Sequence, residues 1–287
     1  MNYLLVMIAT VLLTFDFALQ KKYQTIEGTD LIAGLKFNAV NGLLTAVIFF
    51  ALSDLKIEFS LFSVILAFGM ALFGMTYSIL SFQILKSSGM AIYSIFLMSG
   101  GMLLPYFYGV IFLGEMLNPI RIVGVVLILI AVVLSNKTKY NIKVTVLPLC
   151  IAVFLLNGFV SILSKAHQIN DTFSPISSTA FVMYSGIAKF LFSTAALLFC
   201  RKQKQTAFFS SKGTFLILFG SALIGGVSYT LQLIGARELP ATVLYPIVTG
   251  GSIAFSALSG KIFFKEKLSF YQIIGIALCL AGTLLFL

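Results

Sequence analysis

Glu115 and Glu266 stand 151 residues apart, and the residues around them repeat at the same offset. The first copy reads Gly100-Gly101, then Phe112-Leu113-Gly114-Glu115-Met116-Leu117, then Arg121-Ile122-Val123-Gly124 and an apolar run to Leu134. The second reads Gly250-Gly251, then Phe263-Phe264-Lys265-Glu266-Lys267-Leu268, then Gln272-Ile273-Ile274-Gly275 and an apolar run to Leu285. Without a gap, the offset also pairs Phe68 with Phe219, Gly69 with Gly220, Gly74 with Gly225, Lys86 with Arg237 and Gly109 with Gly260. Self-similarity at one offset over half a chain marks a duplication, so both halves must fold into the same kind of unit.

Apolar runs of about 20 residues, separated by short polar breaks, recur along the chain, and about 20 residues at 1.5 Å rise cross the hydrocarbon layer as a helix. Ten spans are predicted, over 3–20, 31–52, 60–84, 89–113, 119–135, 145–166, 176–199, 214–235, 241–263 and 269–287. The alternation of a membrane β-barrel is absent, and a chain that is 60% hydrophobic and 10% charged is no soluble domain. The first run lacks a small-x-small cleavage pattern and is read as a retained helix. The expected fold is therefore an all-α membrane protein of ten transmembrane helices, with five in residues 1–139 and five in 140–287. Because five is odd, the second unit must enter the membrane in the opposite sense. Inverted repeats place a pathway between the halves and allow two mirror-related states.

Two apolar runs separated by Glu-x-Leu, four residues and Ile-x-Gly, once per half, make the chain resemble the EamA-like branch of the drug/metabolite transporter superfamily. The resemblance covers the whole chain. It implies a secondary transporter that moves a small organic metabolite, outward, across the cytoplasmic membrane. Amino acids or related compounds are the expected substrate class, with multidrug efflux as the alternative. In the related small multidrug resistance proteins a first-helix carboxylate precedes a lysine by eight residues. Here the same count back from Lys21 or Lys22 reaches Leu13 or Thr14, and from Lys165 it reaches Asn157, so carboxylate-linked drug/proton exchange is not carried over.

The formal charge of +10 would suggest nucleic acid for a soluble protein, but here topology accounts for it and no nucleic acid is expected. Loops one, three, five, seven and nine hold 13 Lys and Arg, among them Lys21, Lys22, Lys86, Lys137, Lys139, Lys143, Arg201, Lys202, Lys204 and Lys212. The opposite face holds four: Lys56, Arg121, Lys165 and Arg237. The positive-inside rule then puts the odd loops in the cytoplasm and both termini outside, whereas the family resemblance implies termini inside.

Charges inside the spans are the strongest candidates for function, because each costs a few kcal/mol to insert and therefore faces a partner or a watery cavity. Lys189 lies mid-span with Ser185 and Ser193 one turn away, either as a structural cation or as the group that meets a substrate carboxylate or phosphate. Asp16 and Lys36 sit ten residues either side of a loop centred near residue 26, which suggests a salt bridge or, alternatively, a coupling role for the carboxylate. Asn157 suits either substrate contact or an interhelical hydrogen bond. Tyr184, Gln232, Asn41, Gln83, Tyr93 and Tyr245, with Asn38, Tyr77 and Tyr229, would give a cavity of mixed polarity behind mostly apolar walls.

Glu115 and Glu266 are expected to be structural, accepting N–H groups at the start of spans five and ten. Gly100, Gly101, Gly250, Gly251, Pro105 and Pro246 suggest close helix packing and kinks, with gating as the functional reading. Cys150, Cys200 and Cys279 have no metal-ligand spacing and are read as packing residues. There is one histidine, His167, and no HExxH or Walker A pattern, so neither catalysis, ATP-driven pumping, a cofactor nor a metal is expected. The expected partners are a small-molecule substrate, the bilayer and a coupling ion, and no oligomer is required. A non-transporting membrane protein is the remaining alternative.

Overall fold

The computed structural model describes residues 2–88, 90–135, 144–200, 211–264 and 269–286. Glu266, the 139/140 boundary between the repeats and Lys137, Lys139, Lys143, Arg201, Lys202, Lys204, Lys265 and Lys267 lie outside the described residues, as does the side chain of Lys86. The described residues form ten α-helices. In the first half these are α1 (Asn2–Glu27), α2 (Leu31–Leu52), α3 (Leu61–Ser88), α4 (Met90–Phe112) and α5 (Pro119–Ser135). In the second they are α6 (Leu147–Ile169), α7 (Ser178–Phe199), α8 (Lys212–Glu238), α9 (Ala241–Phe264) and α10 (Phe270–Leu284). Eight are long and apolar enough to cross a membrane, while α5 and α10 are shorter at 17 and 15 residues.

One boundary differs from the sequence reading in a way that matters for the site. The apolar run ends near residue 20, but α1 continues through polar residues to Glu27, where Gly28 at φ +99° turns the chain. Tyr23 holds this extension against α2: it is buried, meets the Phe37 ring edge-on at 5.0 Å and donates its hydroxyl to Ala33 O at 3.2 Å.

The two halves interleave as an inverted repeat. Helix α1 packs on α8 and α9 as its counterpart α6 packs on α3 and α4, and α2 packs on α8 as α7 packs on α3. The pairs α2–α7, α4–α9 and α5–α10 join each helix to its own repeat. Small residues permit the closest of these crossings. A Cβ on Gly42 would lie 2.8 Å from Gly186 O, and one on Gly186 would lie 2.8 Å from Gly42 O. Gly124 and Gly282 stand in the same relation across α5 and α10, at 2.9 Å each way. In lipid, where apolar side chains gain little by leaving their solvent, such backbone contact is a principal source of helix association. The outer surface remains apolar, with Leu43, Val47, Val123, Val126, Ile130, Ile273 and Leu280 exposed.

Candidate functional site

Four polar residues from four helices join in one buried chain. Lys189 Nζ on α7 donates to Asn41 Oδ1 on α2 at 2.8 Å, and Asn41 Nδ2 donates to Ser221 Oγ on α8 at 3.2 Å. Ser221 Oγ donates in turn to Asp16 Oδ1 on α1, whose other oxygen accepts from Gln20 Nε2 at 2.7 Å. Asp16, Asn41 and Ser221 are buried, and Lys189 is partly so, with its ammonium 5.7 Å from the centre of the Phe37 ring. The chain carries one formal negative and one formal positive charge at its ends, so the two charges face each other through neutral donors and acceptors.

Helix lengths explain why these residues meet. Asp16 is 11 residues from the end of α1, Asn41 is ten from the start of α2, Lys189 ten from the end of α7 and Ser221 nine from the start of α8. At 1.5 Å per residue all four lie at nearly one depth. Lys36, also buried, is only five residues into α2. The longer α1 moves the turn to Gly28, so the residue level with Asp16 on α2 is Asn41, and Lys189 is a cation that acts on Asp16. Gly225 makes the approach possible, since a Cβ there would stand 2.9 Å from the Asp16 carboxylate.

The other sequence-predicted residues fall in separate places. Asn157 Nδ2 donates to Leu97 O on α4 at 2.7 Å, which is an interhelical hydrogen bond, and its backbone carbonyl accepts from Ser161 Oγ at 3.3 Å. Tyr245 reaches the same stretch of α6 from α9, donating to Ser161 O at 2.5 Å. Gln232 donates to Ser228 Oγ at 3.2 Å, and Ser228 donates to Ala9 O at 2.7 Å, tying α8 to α1. Tyr93 bonds Ser81, Tyr184 donates to Glu58 O at 3.0 Å at the end of its helix, and Gln83 is exposed. Thus Lys189, Asn41 and Asp16 come together, and Asn157 and Tyr245 come together.

Three further polar groups stand out, of whose members the sequence reading singled out only Tyr229. Ser221 is one of many helical serines, and only its depth relative to Asp16 distinguishes it. Ser164 and Tyr229 share a 2.8 Å hydrogen bond beside Met70 Sδ. Lys165, near the end of its predicted span, would be expected to reach water, yet it is 4% exposed and donates to Ala236 O and Leu239 O at 2.6 and 2.7 Å. Glu115 corrects an expectation: its carboxylate accepts Ala241 N at 2.6 Å and Thr242 N at 2.8 Å, so it caps α9 of the other half rather than α5. At α5 it is Asn118 that accepts an early N–H, from Ile120, and α10 starts with a Ser269/Gln272 capping box. His167 is a satisfied core histidine, bonded to Ser63 and Gln168 at 2.9 Å each and stacked on Phe181 at 3.8 Å.

Residues 145–287 match the sequence model of a family described as the EamA-like transporter family. A solved crystal structure of a protein shares the fold with TM-score 0.76 at 16% identity, over 99% of this chain and 95% of that one. No curated protein matches.

Proposed function

We propose, from the premise that the second half of this chain, residues 145–287, belongs to the EamA-like transporter family, that the protein is a secondary transporter working by alternating access. It moves a small organic metabolite, an amino acid or related compound, outward across the cytoplasmic membrane. The observation that carries this reading is the composition of the buried chain. Asp16 and Asn41 come from the first half and Ser221 and Lys189 from the second, in alternating order, so every link from Asp16 to Lys189 crosses between the repeats. Moving one half against the other breaks each link at once and frees both charges for a substrate or a coupling ion.

In this reading Lys189 meets a carboxylate or phosphate of the substrate, and Asn41 accompanies it. Asn157, Tyr245, Gln232, Tyr93, Gln83 and Tyr184 supply hydrogen bonds along the path, and Asp16 carries the coupling role. The test is counterflow into liposomes that contain the purified protein, with a panel of labelled metabolites and no assumed driving ion. Saturable exchange of an anionic or zwitterionic metabolite is the expected result. Exchange of cationic hydrophobic drugs alone would replace this reading with multidrug efflux, and no exchange by folded protein would remove transport altogether.

A further inference from the structure

The joint between α8 and α9 is only two residues long, Leu239 and Pro240, and is held from both sides by charge. Helix α8 ends there with the negative end of its dipole, and Lys165 donates to Ala236 O in its last turn and to Leu239 O just beyond it. Helix α9 begins there with free N–H groups and the positive end of its dipole, and the two oxygens of Glu115 each take one of them. The two side chains also act on each other electrostatically. Each charge therefore sits at the helix end of opposite sign, Lys165 buried and Glu115 half-buried. Gly109 makes room for the carboxylate, because a Cβ there would lie 2.6 Å from Glu115 Oε2. Gly114, at φ +66°, turns the chain so that Glu115 points back.

This joint lies on the face where α1 starts and α10 ends, together with the α2–α3, α4–α5 and α6–α7 connections. On the same face a second first-half carboxylate holds a second-half helix: Glu58 accepts Ser177 N at 2.6 Å and Ser177 Oγ at 2.8 Å, at the start of α7. Glu115 and Glu58 thus both bridge the halves here. At the 151-residue offset Lys165 corresponds to Thr14 and Glu58 to Phe209, and only Glu115 has a charged counterpart. Thr14 spends its hydroxyl on Thr10 O within its own helix at 3.0 Å.

We infer that Glu115 is a positioning residue that holds the pathway shut on the face carrying the start of α1 and the end of α10, with Lys165 fixing the end of α8 beside it. The inference rests on the alternating-access reading, because a latch between the halves has a consequence for transport only if the halves move. Opening this face must part Glu115 from α9. Hydrogen bonds to charged groups are strong enough that losing the two bonds of Glu115 shifts the ratio of open to closed molecules at this face by about tenfold or more.

Distances between spin labels at Met116→Cys and Glu238→Cys, both exposed and on either side of the joint, read that ratio directly. The full chain is used in lipid nanodiscs, with Cys150, Cys200 and Cys279 replaced by Ser. A short distance should dominate in the parent protein. Glu115→Ala, which removes both acceptors, should add a longer population. Glu115→Gln retains one good acceptor and should give an intermediate distribution, which keeps the test decisive if Glu115→Ala does not fold. Unchanged distances in every folded variant would overturn the inference. Counterflow on the parent protein separates the two failures: a latch that opens in a protein with no exchange leaves the inference standing and removes the transport reading.

Discussion

Lys189 and Asp16 are joined through two intermediates only, Asn41 and Ser221, and the three links tie four helices at one depth of the bundle. Asp16 is buried and Lys189 half-buried, so each depends on the neutral groups between them and on the other charge. Their energies should therefore be coupled even though they do not touch. Asp16→Asn and Lys189→Gln should each lower stability by about 1 to 3 kcal/mol, and the double variant should lose less than the sum by about 1 kcal/mol. Thermal unfolding of the four proteins in one detergent checks this, and strictly additive losses would dissolve the link.

The orientation of this assembly follows from charge. Thr29 lies in the α1–α2 turn, on the basic face, and Thr172 in the α6–α7 connection on the opposite face, both exposed. In a background without native cysteines, Thr172→Cys should react with an impermeant thiol reagent in intact cells. Thr29→Cys should react only after the cells are opened. Labelling in the reverse order would put both termini inside, as the family resemblance implies.

The number and place of the helices were legible because lipid imposes its length on every apolar run, and the duplication made the inverted repeat a matter of counting. What lay beyond the sequence was the pairing of polar groups across helices. Asp16 was visible as a buried charge, but its level on α2 depended on where α1 stopped, and polar residues 20–27 carry no apolar period to show that the helix continues. Glu115 bonds residues 126 and 127 positions away, which no local pattern reveals. Lys165 was masked by its position near a span end, where a lysine ordinarily reaches the interface. The backbone carbonyls of α8 replaced water for it, and only the packing of α6 on α8 brings them within reach.

Close helix crossings give a prediction that separates packing from propensity. At Gly186 an added Cβ meets backbone atoms of α2, Ala46 N and Gly42 O, at 2.8 Å, and backbone cannot swing aside. At Gly74 the nearest atom is Tyr77 Cε1 at 3.9 Å, an ordinary contact. Gly186→Ala should cost about 2 kcal/mol or more, whereas Gly74→Ala should be neutral or gain up to about 1 kcal/mol from helix propensity. Equal melting temperatures for the two variants would show that α2 and α7 do not cross as closely as Gly42 and Gly186 indicate.

Lys189 provides the most direct test of what is carried. Its ammonium holds Asn41 at 2.8 Å and lies over the Phe37 ring, two arrangements that a substrate carboxylate or phosphate can replace by a stronger, charge-assisted bond. Lys189→Gln keeps much of the side-chain volume and a donor for Asn41 but removes the charge. Affinity for anionic substrates should fall by about tenfold or more, in keeping with roughly 1.5 to 3 kcal/mol for a hydrogen bond to a charged group, while neutral or cationic compounds should be affected less. Lys189→Arg keeps the charge in a planar fork that does not match the position of a compact ammonium, so it should recover only part of the affinity. Binding measured on folded protein, with the melting temperature recorded alongside, distinguishes the roles. A Gln variant that binds anions unchanged but melts earlier would make Lys189 a structural cation, held for the sake of Asp16 rather than for a substrate.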